Sequence, residues 1–213
     1  MADRFPGYDV LAKRHTQSWN PQTRAAVDAR LALGERTDVL TPAQLATLRL
    51  IAERVCPQPE GRPPANTVAL VLDKIARDAG DGYRKAGMPR TAEAWRRGLD
   101  AIDAEARLRF GAAFAALPGD RADTVLRAVE AGEVKAPEWE SFDARAFWAH
   151  RLIQDVVSSH WAHPSLWSAM GFGGPASPRG YVRLEANRRD AWEAVEADPA
   201  DSGAAETRNR HVG

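Results

Sequence analysis

Three histidines in the C-terminal half have the residue type and, in part, the spacing of metal ligands. His160 and His163 are three residues apart, so both could reach one ion from the same helix. However, His160 continues the apolar face of its predicted helix, and Pro164 indicates that the helix ends beside His163. We interpret His160 as a hydrogen-bonded histidine at the edge of the core. A stand-alone helical metalloenzyme that uses His150, His160 and His163 stays open as an alternative.

Glycines follow these histidines in the segment Gly171-Phe172-Gly173-Gly174, which has the composition of a phosphate-binding loop. Such loops present backbone N–H groups at the start of a helix. Pro175 and Pro178 lack an N–H group, and no strand pattern precedes the glycines. The segment therefore predicts a tight, closely packed turn rather than a nucleotide site.

Carboxylates and the one cysteine give no better candidate for catalysis. Asp100 and Asp103 lie one helical turn apart and are followed by Glu105, which could do acid–base chemistry if burial separated the pKa values. Asp100 and Asp103 alternate with apolar residues, which indicates a solvated helix face. Cys56 precedes Pro57 at a predicted helix C-terminus, where the helix dipole raises a thiol pKa. We assign no catalytic, cofactor-binding or metal-binding residue to this chain.

Composition and charge narrow the class of protein. The 213 residues contain 29 Lys and Arg and 29 Asp and Glu, a balance that argues against nucleic acid as a partner. A single cysteine excludes an intrachain disulfide. No apolar run approaches the roughly 20 residues that a membrane-spanning helix needs.

Hydrophobic periodicity predicts an all-α protein, a single-domain helical bundle of about five or six main helices with an irregular N-terminal arm. Apolar residues recur every three or four positions, and β-branched runs are scarce. The predicted helices cover Thr23–Leu33, a segment from Thr41 to Pro57, Val68–Ile75, Thr91–Pro118 with a bend near Gly111, Arg121–Ala131, Phe142–His160, a segment from Pro164, and Glu185–Val195.

The sequence predicts one helical domain between two less regular ends. Residues 1–23 form the irregular arm, and residues 24–197 form the helical domain. Residues 198–213 contain no aromatic residue and predict a disordered tail. The proline-rich stretch Pro57–Pro64 is too short to link two separate domains.

Tryptophan is concentrated towards the C-terminus. Five of the seven tryptophans are Trp139, Trp148, Trp161, Trp167 and Trp192. One bundle cannot easily bury all of them, and tryptophan is enriched at the energetic centres of protein interfaces. We therefore expect two or more of them to line an interface. The alternative is that most of them lie in the core.

Several segments of the chain carry a resemblance to a known family. The most specific are His163-Pro164 with Trp167, Gly171–Pro175 and Pro178–Tyr181. The others are Leu45–Pro57, Tyr83 with Trp95–Asp103, and Phe110–Leu117. Through these segments the chain resembles the gluconate 2-dehydrogenase subunit 3 family, the small subunits of FAD-dependent sugar and polyol dehydrogenases. The resemblance covers about three quarters of the chain, from about Leu40 to Val195.

The resemblance implies a helical subunit that binds no cofactor itself. Such subunits accompany a large FAD-containing subunit of the glucose-methanol-choline (GMC) oxidoreductase type, which oxidises a sugar hydroxyl by hydride transfer to FAD. A c-type cytochrome with haem c often takes the electrons. The small subunit has a chaperone-like role in maturation of the flavoprotein and, in many members, in its export. A helical adaptor for an unrelated partner stays open as an alternative.

The resemblance also implies a place in the cell. Many members of the family carry a twin-arginine signal and act in the periplasm. Here Arg96-Arg97 and Arg188-Arg189 lie in predicted helices, and the N-terminal residues show no signal pattern. We expect a periplasmic complex that is exported through its partner or by another route, with a cytoplasmic complex as the alternative.

The predicted partner surface combines the C-terminal aromatic segment with the N-terminal arm. The arm contains aromatic residues but has too little regular structure to pack a core itself. Segments of this kind commonly become ordered on a partner. The residues predicted to contact the flavoprotein are Phe5, Tyr8, Trp19, Trp167, Phe172, Pro178, Arg179 and Tyr181.

Overall fold

The computed structural model of the chain describes residues 3–80, 82, 84–177, 180, 192–198 and 202–211. Within these ranges every regular element is helical, which confirms the predicted all-α class. The α-helices are α1 (Pro21–Leu31), α2 (Pro42–Val55), α3 (Thr67–Ala76), α4 (Thr91–Phe110), α5 (Gly119–Ala131), α6 (Ala144–Phe147), α7 (Ile153–Ala162), α8 (Pro164–Trp167) and α9 (Ser202–Asn209). Shorter turns of 3₁₀-helix cover Val10–His15, Phe114–Ala116 and Pro137–Trp139, and a π-helical turn covers Trp148–Leu152.

The chain packs as two compact units, each built from separate stretches of sequence. The terminal unit comprises Met1–Leu33, Gln58–Ala65 and Trp161–Gly213. The helical unit comprises Gly34–Pro57 and Asn66–His160. The predicted helical domain is therefore distributed over both units.

Helix α2 of the helical unit begins where the sequence predicts, at a capping box. Thr41 Oγ1 accepts a hydrogen bond from Gln44 N at 3.2 Å, and Gln44 Oε1 accepts one from Thr41 N at 3.0 Å. Pro42 stands at the first helical position, where its missing N–H group is not needed. A cap of this kind is worth about 1 kcal/mol of helix stability.

Helix α4 supplies much of the core of the helical unit. Trp95, Leu99 and Ile102 have no exposed surface and belong to its main hydrophobic cluster. Phe147 packs directly on Gly98, where any Cβ would collide with the phenyl ring. Glycine at position 98 therefore allows α4 to approach the end of α6 closely.

The structure corrects the predicted length of α4. The prediction continued its apolar face to Pro118, but the helix ends at Phe110 because Gly111 adopts the left-handed conformation, with φ of 70°. Asp103 Oδ1 then accepts a hydrogen bond from Phe114 N at 2.8 Å. Phe114 is fully buried, so the apolar spacing persists although the chain has left the helix.

Residues 144–162 are continuously helical but contain a π-helical turn. Helix α6 ends at Phe147, the π-helical turn covers Trp148–Leu152, and α7 begins at Ile153. A π-helical turn adds one residue to the helix and rotates the side chains that follow. The prediction of a helix that reaches His160 is confirmed, but apolar spacing did not reveal the π-helical turn.

The predicted irregular arm of the terminal unit contains regular structure. Val10–His15 forms a 3₁₀-helical turn, and α1 begins at Pro21 rather than at Thr23. Asn20 Oδ1 accepts a hydrogen bond from Thr23 N at 2.8 Å and so caps the helix. Pro21 therefore starts a helix, whereas the prediction placed it in the arm.

The predicted disordered tail contains helix α9, so that prediction is wrong for residues 202–209. Asn209 is 1% exposed and ties this helix to the chain. Its side chain accepts a hydrogen bond from Val195 N at 2.7 Å and donates to Val195 O at 2.8 Å and to Pro6 O at 2.9 Å. The absence of aromatic residues misled the prediction because one buried amide provides the anchorage.

The helix predicted over Glu185–Val195 lies only partly in the described chain. Residues 185–191 lie outside the described residues. Residues 192–195 form a turn followed by irregular chain, so no helix reaches Val195. Ala194 is nevertheless buried, in the hydrophobic cluster of the terminal unit.

Candidate functional site

The candidate functional site is the aromatic turn, defined as residues 167–174 of the terminal unit. Helix α8 leads into it and is capped by His163. The Nδ1 atom of His163 accepts a hydrogen bond from Ser165 N at 3.3 Å and lies 2.7 Å from Ser165 Oγ. Ser165 Oγ in turn donates to Pro64 O at 3.1 Å. These bonds anchor the start of the aromatic turn to a neighbouring loop of the same unit.

The aromatic turn closes as a Schellman motif. Phe172 N donates to Trp167 O at 2.9 Å, and Gly171 N donates to Ser168 O at 3.2 Å. Gly171 has the left-handed φ of 68° that this motif requires. The motif commonly brings two apolar side chains together across the turn, and here they are Trp167 and Phe172.

These two aromatic rings have different exposure. The ring planes of Trp167 and Phe172 are almost perpendicular, at 87°, and their centroids are 5.5 Å apart. Trp167 is 6% exposed, whereas Phe172 is 39% exposed. The buried indole therefore supports a phenyl ring that is presented to solvent.

Side chains of the N-terminal arm fill the glycine side of the aromatic turn. A Cβ atom at Gly171 would lie 2.5 Å from the Phe5 ring, and one at Gly174 would lie 2.7 Å from Val10 Cγ2. Apolar groups thus occupy the space through which a phosphate group would approach these glycines. This packing agrees with the predicted tight turn and disfavours a phosphate-binding loop.

A buried lysine, which sequence reasoning missed, also reaches the aromatic turn. Lys13 has no exposed surface. Its Nζ atom donates to Tyr8 Oη at 2.8 Å, to Gly173 O at 3.3 Å and to Trp192 O. The ammonium group also lies 5.1 Å from the centroid of the Tyr8 ring, within the range of a cation–π interaction. Nothing in the surrounding sequence distinguishes Lys13 from a surface lysine.

Arg62 is a second residue that the sequence did not point to. Its Nη2 atom donates to Asp3 Oδ2 at 2.6 Å and to Phe5 O at 2.7 Å, and its Nη1 atom donates to Tyr8 O at 3.1 Å. Its side chain is only 13% exposed. Arg62 therefore fixes the start of the arm in the conformation that places Phe5 on the aromatic turn.

The residues predicted to contact a partner have three different placements. Phe5, Tyr8, Trp19 and Trp167 are buried in the hydrophobic cluster of the terminal unit. Phe172 is exposed, and Pro178, Arg179 and Tyr181 lie outside the described residues. The rings of the arm are therefore buried within the chain, in a core that they share with Trp167 and Ala194. Contact of this set with a partner stays a prediction.

The C-terminal tryptophans also differ in exposure. Trp139 and Trp167 are buried, Trp148 and Trp192 are half-buried, and Trp161 is 45% exposed. The two buried rings belong to the cores of different units. An interface lined by two or more tryptophans stays a prediction, and Trp161 has the most exposed ring among these five residues.

The three histidines occupy different places in the fold and do not form a cluster of metal ligands among the described residues. His160 is 2% exposed, and its Nδ1 atom lies 2.8 Å from Thr67 Oγ1. Burial lowers the pKa of His160. His163 caps α8, and His150 lies half-buried in the π-helical turn. The described residues include no group of three or more His, Cys, Asp or Glu side chains that could hold a metal ion. The interpretation of His160 as a hydrogen-bonded core-edge histidine is confirmed.

The acidic residues of α4 differ from one another. Asp100 is exposed, in agreement with the predicted solvated face, whereas Asp103 is half-buried and accepts the hydrogen bond from Phe114 N. Glu105 is fully buried, and its Oε2 atom accepts hydrogen bonds from Lys135 N and Ala136 N, both at 2.8 Å. Burial opposes ionisation of Glu105, but these hydrogen bonds, with one from Arg109, outweigh it and lower the pKa. Glu105 therefore organises the chain after α5.

Cys56 ends α2 and is 7% exposed. Burial raises the pKa of its thiol, so the unreactive neutral form is favoured at neutral pH. The direction of this shift is the predicted one. Its main cause is loss of solvent, whereas the prediction relied on the helix dipole.

A family comparison covers α2 through the whole aromatic turn. Residues 42–174 match the family described as Gluconate 2-dehydrogenase subunit 3, which is more than half of the chain. The chain belongs to the gluconate 2-dehydrogenase subunit 3 family. This confirms the predicted family, and the match includes His163-Pro164 and the glycines of the aromatic turn, whereas Pro178–Tyr181 lies beyond it. The N-terminal arm, helix α1 and helix α9 of this subunit 3 family member lie outside the matched range.

The family name describes one subunit of a dehydrogenase complex. No curated protein and no solved structure matches this subunit 3 family member. In the part of the chain that the structure describes, no helix combines the length and apolar character needed to cross a membrane.

Proposed function

We propose that this chain is a non-catalytic subunit that binds a large, FAD-containing dehydrogenase subunit of the GMC type, stabilises it and supports its maturation. The observation that carries the proposal is membership of the family named for subunit 3 of gluconate 2-dehydrogenase. The large subunit would oxidise a sugar or polyol hydroxyl by hydride transfer to FAD. A c-type cytochrome would take the electrons onward, and the complex would act in the periplasm.

Phe172 supports the proposal as a partner contact. It lies inside the family match and is one of the few large apolar side chains exposed in the described chain. The Schellman motif and the packing of Phe5 on Gly171 hold its backbone in one conformation. A preorganised aromatic side chain loses little conformational entropy on binding, which favours affinity.

The groups that could do chemistry have structural tasks, which also supports a binding role. His160 contacts Thr67, and His163 caps α8. Glu105 holds two backbone N–H groups of the following chain. In the proposed complex the chemistry belongs to FAD, and this chain contributes binding surface.

Co-purification tests the proposal. The chain would be co-expressed with a GMC-type flavoprotein subunit from the same organism, as wild type, as Phe172→Ser and as Leu108→Ser. Leu108 is the matched control because it is 58% exposed and lies on α4 of the helical unit. We expect wild type and Leu108→Ser to co-purify with a flavin-loaded partner, and Phe172→Ser to bind at least about tenfold more weakly.

Two results would count against the proposal in different ways. If the flavoprotein did not co-purify with the wild-type chain and was fully active without it, the proposed function would be wrong. A helical adaptor for an unrelated partner would then be the better hypothesis. Equal binding by Phe172→Ser and wild type would leave the function intact but remove the aromatic turn as the contact.

A further inference from the structure

Two polar side chains of the terminal unit form hydrogen bonds to the backbone of the N-terminal arm. Arg62 donates to Phe5 O at 2.7 Å and to Tyr8 O at 3.1 Å. The Oγ atom of Ser168 accepts a hydrogen bond from Val10 N at 3.1 Å. Both side chains are largely buried, so removal of the arm would take these partners from buried polar groups. The arm is therefore an integral part of the terminal unit.

The two sides of these contacts differ in their relation to the family match. Arg62 and Ser168 lie within the matched residues 42–174, as does the whole aromatic turn, whereas the arm lies outside them. Among the described residues, every hydrogen bond of the Arg62 side chain goes to the arm. The matched region thus provides the anchor, and the arm provides the ring that packs on the turn.

The anchored arm places the Phe5 ring on the residue that precedes Phe172. Phe5 is 8% exposed, and its ring fills the space that a side chain at Gly171 would need. Glycine has more conformational freedom than any other residue, so a defined backbone at Gly171 depends on packing. Contact with Phe5 therefore restrains the backbone at the position from which Phe172 projects.

Arg62 itself is poorly placed to contact a partner. Its side chain is 13% exposed and is occupied by the arm, whereas Phe172 is 39% exposed. A change at Arg62 therefore reaches the surface through the arm and the aromatic turn. A contact residue that is already held in its bound conformation loses less conformational entropy on binding, which favours affinity.

We propose that Arg62 is a positioning residue for partner binding, which acts through the arm to hold Phe172 in the orientation that the flavoprotein recognises. Arg62 fixes the backbone of the arm, the Phe5 ring restrains Gly171, and the restrained turn presents Phe172. The inference rests on the proposed function, because it concerns how the same contact is organised. It requires that the effect of Arg62 on affinity depends on the presence of Phe172.

A double-mutant cycle tests this dependence. The dissociation constant with the purified GMC-type flavoprotein subunit would be measured for wild type, Arg62→Ala, Phe172→Ser and the double variant. We expect Arg62→Ala to weaken binding by about tenfold in the wild-type background, but by less than about twofold beside Phe172→Ser. Asp3→Asn is the matched control, because it removes the charged partner of Arg62 but leaves the bonds to Phe5 O and Tyr8 O. This control should bind like wild type.

Hydrogen exchange of the chain alone gives a second measurement that needs no partner. Phe172 N donates to Trp167 O in the closed turn, so exchange of this amide reports opening of the turn. We expect Arg62→Ala to accelerate this exchange by about tenfold or more, and to leave the amides of α4 unchanged. Phe5→Ala should have the same effects with Arg62 in place, and it replaces Arg62→Ala in both measurements if that variant does not fold.

Different results would overturn the inference and the proposed function. Equal losses of affinity from Arg62→Ala with and without Phe172 would show that Arg62 acts independently of Phe172, which would overturn the inference alone. Unchanged exchange of the Phe172 amide in Arg62→Ala and Phe5→Ala would also overturn it, and binding of the wild-type chain would leave the proposed function standing. Failure of the wild-type chain to bind the flavoprotein would overturn both.

Discussion

Phe5 lies directly on Gly171, so closely that a Cβ atom at position 171 would be 2.5 Å from the phenyl ring. This contact joins the N-terminal arm to the aromatic turn within the terminal unit. Gly171 therefore meets two demands at once: a left-handed φ of 68° and the close approach of a ring. The energetic cost of each demand can be measured by comparing alanine substitutions at two glycines.

Gly171→Ala should destabilise the chain more than the backbone conformation alone requires. Gly61 provides the matched control, because it has φ of 70° but no atom within 4 Å of an added Cβ. We expect Gly61→Ala to cost about 1 kcal/mol for left-handed alanine, and Gly171→Ala to cost a further 1–3 kcal/mol, approximately, from overpacking against Phe5. Urea unfolding of the full chain measures both differences. Equal losses of unfolding free energy in the two variants would show that Phe5 does not pack closely on Gly171 in solution.

Asp155 should be a large contributor to the stability of the helical unit. It has no exposed surface and accepts hydrogen bonds from Lys74 Nζ at 2.6 Å and Trp95 Nε1 at 2.8 Å, with Arg151 Nη1 at 3.4 Å. Asp155→Asn leaves buried cations without their carboxylate and should cost about 3–5 kcal/mol. Asp123→Asn removes an ion pair with Arg54 in which both side chains are partly exposed, and it should lower the free energy of unfolding far less. Similar changes in the free energy of unfolding for the two variants would contradict a large contribution from the buried Asp155 cluster.

Glu105 should make the stability of the chain depend on pH in the acidic range. Its folded-state pKa is lowered from an ordinary value of 4.5. The stabilisation is therefore complete above about pH 4.5 and is lost as the pH falls through the lower, folded-state pKa. Glu105→Gln lacks this contribution, so the stability gap between wild type and variant should narrow on acidification. Denaturant titrations at several pH values, with the exposed Glu130→Gln as control, would detect it. A gap that stayed constant with pH would argue against the pKa shift.

Local sequence signals predicted the framework of the helical unit well. Thr41 and Pro42 marked a helix start because capping depends on neighbouring residues alone. The end of α4 was harder to predict. Phe114 continues the apolar spacing although Gly111 has already ended the helix. An apolar residue at this spacing is compatible with burial in a turn as well as with burial on a helix face.

The terminal unit could not be predicted in the same way because its contacts join distant parts of the chain. Asn209 holds Pro6, and Lys13 reaches Gly173, yet each is an ordinary polar residue in its own neighbourhood. Phe5 and Trp19 looked exposed because their partners lie more than 150 residues away. Its glycines and aromatic residues drew attention to the aromatic turn in the sequence, and contact with a partner there stays a prediction. The contacts that support the turn required the structure.

Binding to the flavoprotein is the central claim, and thermal unfolding of that partner tests it most directly. The flavin-loaded large subunit would be heated alone, with increasing amounts of this chain, and with Phe172→Ser. At a concentration of about 100 times the dissociation constant, the wild-type chain should stabilise the flavoprotein by about 2.7 kcal/mol and raise its melting temperature in proportion to binding. Phe172→Ser should need a higher concentration for the same shift. An unchanged melting temperature at saturating wild-type chain, with full sugar oxidation by the flavoprotein alone, would contradict the account.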